Sequence, residues 1–153
     1  MTTGSQPLRR ARPRLAALLA RAIEIDGADM GTLQRVDPDG VLRIVAHRGF
    51  DAAFLRHFAE VRPFDGSACG RAAGASGCVV IADIEEDAAF EPHRAVARRN
   101  GMRSVKSCPV RSAGGRLLGI LSTHCRAPRT AWDRGHLDEL LLEVAALLEP
   151  RLP

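Results

Sequence analysis

The stretch RSVKSCPVRSAGGRLLGILSTHC, residues 103–125, decides the fold. Residues 103–110 read as one strand. Ser112-Ala113-Gly114-Gly115 is a turn, and Leu117 to His124 is the most apolar strand of the chain. Two strands joined by so short a turn form an antiparallel hairpin. A second hairpin lies upstream. Met30 to Val36 leads into Asp37-Pro38-Asp39-Gly40, where Pro presets φ and Gly accepts a positive one, and Val41 to His47 returns.

Between the hairpins the pattern turns helical. Phe50, Phe54, Leu55 and Phe58 recur at helical spacing and predict a helix over 51–60. Gly66-Ser67-Ala68-Cys69-Gly70 permits a tight turn into a short helix over 69–75, and Val79 to Ile84 is a short strand. Residues 85–92 read as an acidic loop, and His93 to Asn100 as a helix closed by Gly101. At the ends, Leu15, Leu18, Leu19, Ala22 and Ile23 predict a helix that starts at Pro13 and stops near Gly27. Leu137, Leu140, Leu141, Val144, Leu147 and Leu148 predict another over 132–149. Residues 1–12 are basic and interrupted by proline, and are expected to form a flexible arm before a single domain over 13–150. The class is α+β, with helices on an antiparallel sheet.

Composition narrows the function. The chain has 153 residues, 46% of them apolar, which is enough for one buried core. No apolar run reaches the length of a membrane-spanning helix. The net charge is +4, from 22 basic and 18 acidic residues. Arg9, Arg10, Arg12 and Arg14 supply four positives before the first acid, Glu24, so the rest of the chain is balanced. That argues against a nucleic-acid surface on the body. Five Phe, one Trp and no Tyr are too few for a base-stacking platform. Cys69, Cys78, Cys108 and Cys125 form no CxxC and no zinc spacing. Reduced thiols, no metal and a cytoplasmic location are the expectation.

The segments Ala28–Gln34, Leu42–Phe50, Gly66–Gly70, Val79–Asp83, Gly101–Val110 and Gly119–His124, in this order and spacing, resemble the GAF domain family. The resemblance covers about residues 14–149 and is to the subgroup found in bacterial hybrid sensor kinases and related signalling proteins. It implies a central sheet of five to six antiparallel strands, terminal helices on one face and short helices roofing a pocket on the other. It implies a sensory role, binding a small molecule or partner protein and signalling through the terminal helices of a dimer, rather than an enzyme. The dimer is expected through helices 13–25 and 132–149, whose basic and acidic characters are complementary. That subgroup more often has Thr than Cys before the Pro, so Cys108 departs from it.

Cys69, Arg103, Cys108 and His124 are the candidate pocket residues. Cys69 follows a turn at a helix start, where a thiol pKa can fall. A related enzyme subfamily, free methionine-(R)-sulfoxide reductase, has a cysteine in a similar Gly-x-x-Cys-Gly turn and a second near the place of Cys78. Its essential third cysteine has no counterpart near Arg98, so the reductase stands as the alternative. Some GAF sensors hold haem through a histidine, which makes His47, His57, His93 and His124 candidates, but context favours none of them. A covalent bilin needs a thiol in the roof, and the His93–Asn100 helix has none. The Asn-Lys-x-Asp-like motif of cyclic-nucleotide members is not found. Arg94, Arg98, Arg99 and Arg103 cluster where they could face an anion or simply solvent. No kinase, cyclase or DNA-binding output fits in this length, so the chain is either part of a larger sensor or acts by protein contact.

Overall fold

Alternation along the strands gives the sheet two faces, and each face buries its own core. In this computed structural model, which describes residues 5–132 and 137–150 (backbone only at 5 and 6), the order is α1 (Ser5–Asp26), β1 (Met30–Val36), β2 (Leu42–Arg48), α2 (Ala52–His57), α3 (Ala68–Ala73), β3 (Val79–Ile81), a 3₁₀ turn (Ala88–His93), α4 (Arg94–Arg99), β4 (Ser104–Arg111), β5 (Leu117–Cys125) and α5 (Asp138–Leu148). The five strands run in the spatial order β2-β1-β5-β4-β3, and every pairing is antiparallel.

On one face Leu33, Val110, Leu118 and Leu121 pack against Leu15, Leu19 and Ala22 of α1 and Leu140, Val144 and Leu148 of α5. On the other, Met30, Val105 and Ile120 pack under Phe54, Phe58, Ala72, Phe90 and Ala97 of the short helices. Gly31 shows how close α1 comes. A Cβ there would lie 2.9 Å from side-chain carbons of both Leu19 and Ile23.

Two expectations about the ends change. The helix expected from Pro13 begins at Ser5, with Pro13 inside it. Leu8 and Ala11 continue the apolar stripe of Leu15 and Leu18 onto the same core, which holds the extra turns in place despite the missing proline N–H. The segment read as a flexible arm is therefore helical from Ser5 onward. The last helix, expected from Trp132, does not begin there: Trp132 lies outside any helix, residues 133–136 lie outside the described residues, and α5 begins at Asp138. The acidic loop over 85–92 also closes into a 3₁₀ turn, capped by Asp87 accepting from the Phe90 N–H at 3.1 Å.

The reduced state expected of the thiols is corrected. Cys78 and Cys108 form a disulfide. Val79 pairs with Ser107, so the register brings the preceding Cys78 opposite Cys108. The bond ties the three-residue edge strand β3 to β4 across a separation of 30 residues. Reducing it is expected to lower stability by about 3 kcal/mol, mainly by freeing the unfolded chain. Thermal melts with and without a thiol reductant check this, with Cys78→Ser insensitive to reductant. A wild-type melt that ignores reductant contradicts it.

Candidate functional site

The sheet presents Thr32, Gln34, Ser107, Ser122 and His124 towards the short helices. With Ile44, Phe54, Phe58, Ser67, Cys69, Phe90, Met102 and Val105 they line a cavity. Its volume is about 20 Å³. None of the lining residues is an acid, lysine or arginine. Ser107 and Ser122, from β4 and β5, satisfy each other at 2.6 Å.

Two buried polar atoms on this lining have no hydrogen-bond partner among the described residues: Oε1 of Gln34 and Nδ1 of His124. Gln34 is 2% exposed and His124 5%. Burial pushes the His124 pKa down to about 3, with the Met30 backbone acting weakly in the other direction. The ring is therefore neutral at ordinary pH. It stands edge-on to Phe50, with ring centres 4.9 Å apart, and Phe50 stacks on Phe54. An unpaired buried polar atom costs about 1–3 kcal/mol, so each is a standing invitation to a bound group.

Cys69 sits half-buried at the edge of this cavity. Ser67 caps α3 by accepting the Gly70 N–H at 3.0 Å. The Ser67 hydroxyl donates to Asp65 Oδ1, which also accepts the Ser67 N–H at 2.9 Å. The Cys69 sulfur lies 3.2 Å from the Ser67 oxygen and 3.7 Å from Gln34 Nε2. Burial pushes the thiol pKa up, against the expectation of a lowered one, and the Ser67 hydrogen bond only partly offsets it. At the end of the 3₁₀ turn, His93 Nε2 donates to the Asp65 carbonyl at 2.8 Å, and His93 Nδ1 accepts from His57 Nε2 at 2.8 Å.

The expected site residues separate. Cys69 and His124 line the cavity together. Arg103 does not, because both ends of its guanidinium are held by Asp83 at 3.1 and 2.8 Å. That pairing holds the Asp83 carboxyl below its usual range. Cys108 does not either. It alternates with Ser107 and shares the α1 face with Lys106 and Val110. The rest of the arginine cluster is engaged within the protein: Arg98 pairs with Glu85, Arg99 with Asp51 at 2.9 Å, and Arg94 donates to the Ile84 and Asp87 carbonyls. Of the haem candidates, His57 and His93 bond to each other and His47 is exposed. Among the described residues no three of His, Cys, Asp and Glu gather around a metal-sized space. The residues sequence reading passed over are Gln34, Ser67 and Asp65. Gln34 alternates with Leu33 on a central strand, and a buried-face glutamine there was the available signal.

Comparison with known proteins follows the fold. The family model for the GAF domain matches residues 14–149. No curated protein matches. A GAF domain region of a putative membrane protein from Geobacter sulfurreducens superposes with TM-score 0.73 at 19% identity, covering 96% of each chain. A domain of a putative two-component sensor histidine kinase from Sinorhizobium meliloti gives 0.63 at 16%, over 90% of this chain and 85% of that one. A type II free methionine-R-sulfoxide reductase from Thermoplasma acidophilum gives 0.75 at 18%, over 94% and 95%.

Proposed function

We propose, for a chain that belongs to the GAF domain family, a sensory or regulatory role in which a small uncharged polar molecule occupies the cavity between sheet and roof. The observation that carries this is the pair of unpartnered buried atoms, Gln34 Oε1 and His124 Nδ1, on one lining. A ligand with a donor for the amide oxygen and a hydroxyl or N–H for the neutral imidazole satisfies both. A lining without formal charge suits an uncharged ligand, because nothing there compensates a desolvated ion.

Signal transmission follows from the strands. Gln34 and His124 face the cavity, while Leu33, Leu121 and Thr123 on the same strands face α1 and α5. A shift of β1 or β5 on binding reaches the terminal helices directly, as a shift in population between helix arrangements. Homodimerisation through residues 13–25 and 132–149 in the cytoplasm completes the reading. Leu142, 70% exposed on α5, supports it as an apolar contact on the outer surface.

The reductase alternative rests on Cys69 and on the fold shared with the Thermoplasma enzyme. Free methionine sulfoxide carries an ammonium and a carboxylate, and the lining offers no opposite charge to either. Cys78, the other thiol in that alternative, is bonded to Cys108. Sensing is therefore the better-supported reading, and consumption of free methionine sulfoxide with a thiol reductant, lost in Cys69→Ser, would overturn it.

The binding test uses Gln34→Leu and His124→Phe. Each is expected to stabilise the unliganded protein by about 1–2 kcal/mol by removing an unpaired group, and to abolish the thermal shift given by formamide and methanol, the smallest amide and alcohol. Variants that melt below wild type, with ligand shifts intact, contradict the reading.

A further inference from the structure

The hydrogen bonds around Cys69 fix the direction in which its proton points. Asp65 accepts both the N–H and the O–H of Ser67. With its one proton committed to Asp65, the Ser67 hydroxyl can only accept from its other neighbours. It accepts the Gly70 N–H, and it therefore accepts the S–H of Cys69 across 3.2 Å. Gln34 Nε2 donates to the sulfur from the other side. The thiol thus has a route for its proton, from Cys69 to Ser67 to Asp65, and Asp65 is itself anchored by His93. Across the sulfur lies a water-sized space, bordered by the unpartnered Gln34 Oε1 and His124 Nδ1.

We infer that Cys69 is a site of reversible oxidation by a small hydroperoxide, with Ser67 and Asp65 carrying the proton. The sulfur attacks the terminal oxygen of ROOH, the O–O bond breaks, and RO⁻ leaves with the pair of electrons. The thiol proton passes through Ser67 to Asp65 and on to RO⁻. The sum is Cys69–SH + ROOH → Cys69–SOH + ROH. The sulfur is oxidised and the peroxide oxygen reduced. The sulfenic hydroxyl gives Gln34 Oε1 the donor it lacks, which stabilises the product. Two equivalents of a low-molecular-weight thiol return it: Cys69–SOH + 2 RSH → Cys69–SH + RSSR + H₂O. Hydrogen peroxide is the member of this class that fits the volume. The other free thiol, Cys125, is buried beside Arg129 and does not line this cavity.

This inference shares the cavity with the ligand reading but not its test. Protein with the Cys78–Cys108 bond intact is treated with hydrogen peroxide, trapped with a cyclic 1,3-diketone, digested and mapped. One trapped group on Cys69 and none on Cys125 is expected. Modification of Cys125 instead, or of no thiol, overturns the inference whatever the thermal shifts say.

Asp65→Asn keeps an acceptor oxygen for Ser67 but removes the base. It is expected to slow oxidation about tenfold or more near neutral pH. The gap should close at alkaline pH, where the thiol ionises without help. The titratable and charged groups around the pair are His93 and His57 beside Asp65, Arg71 at the Gly66 carbonyl, and His124 across the cavity. A rate equal to wild type at every pH refutes the relay. Gln34→Leu provides an independent check, with the sulfenic form expected to persist several-fold less long. An unchanged lifetime contradicts the role of Gln34.

Discussion

Lys106→Met is expected to destabilise the protein by about 3–5 kcal/mol, the usual cost of leaving a buried charge without its partner. Lys106 is the only lysine of the chain and is 1% exposed. Its Nζ lies 2.8 Å from Asp26 Oδ1, and Thr123 Oγ1 donates to Asp26 Oδ2 at 2.7 Å. The ammonium also stands 5.7 Å from the centre of the Trp132 ring. Methionine fills much of the same volume but leaves the Asp26 carboxylate in the core with Thr123. The double variant Lys106→Met/Asp26→Asn is expected to recover most of the loss, since the amide still accepts from Thr123 and residue 26 no longer carries a charge. Urea melts of the two variants decide it. A single variant as stable as wild type, or a double variant no better than the single, would be incompatible with the buried pair.

The pair also joins cavity and helix. Asp26 is the last residue of α1, and Lys106 and Thr123 lie on β4 and β5. Their sequence neighbours Ser107, Ser122 and His124 line the cavity. A buried ion pair adds little net stability compared with apolar packing, but it holds one geometry. Here it fixes the end of α1 to the two strands that touch the ligand space. On the proposed sensory reading, the double variant should therefore keep its fold while its terminal helices respond less to a bound molecule.

Much of this architecture is legible in the residues. Asp37-Pro38-Asp39-Gly40 and Ala113-Gly114-Gly115 announce both hairpins, and β1 spans Met30–Val36 as its pattern predicts. Period-2 alternation cannot say which face meets which layer, so the facing of Cys108 stayed hidden until β4 was placed. The disulfide needed register as well. Cys78 and Cys108 meet only because Val79 pairs with Ser107, and no spacing rule contains that fact. Pro7, Pro13 and four arginines masked the first turns of α1, although Leu8 and Ala11 continue its stripe. In the site, Cys69 was visible through its Gly-Ser-Ala turn, and His124 through its place on the most apolar strand. Gln34 and Asp65 matter through partners far away in sequence, or through the lack of one. Arg103 drew attention by charge alone, and the acid that neutralises it lies 20 residues upstream.

Acid is expected to act on the protein through His124. In the unfolded chain its imidazole titrates at the ordinary 6.5, and in the fold at about 3. Between those values the unfolded state holds a proton that the folded state does not. Stability therefore rises with pH across the window and is lost as pH falls from 6.5 towards 3. The shift corresponds to roughly 4 kcal/mol of lost stability at the bottom of the window, before other groups contribute. Several paired carboxylates, Asp83 and Glu85 among them, titrate low and add to the loss at the acid end. His124→Phe separates the contributions, because it removes the imidazole and leaves the carboxylates. Its melting temperature should fall less steeply than that of wild type between pH 6.5 and pH 4, where the imidazole dominates. Equal slopes in that interval would mean that His124 takes up its proton within the fold. A charged imidazole at the cavity wall would then call for an anionic ligand, and the uncharged-ligand reading would have to be given up.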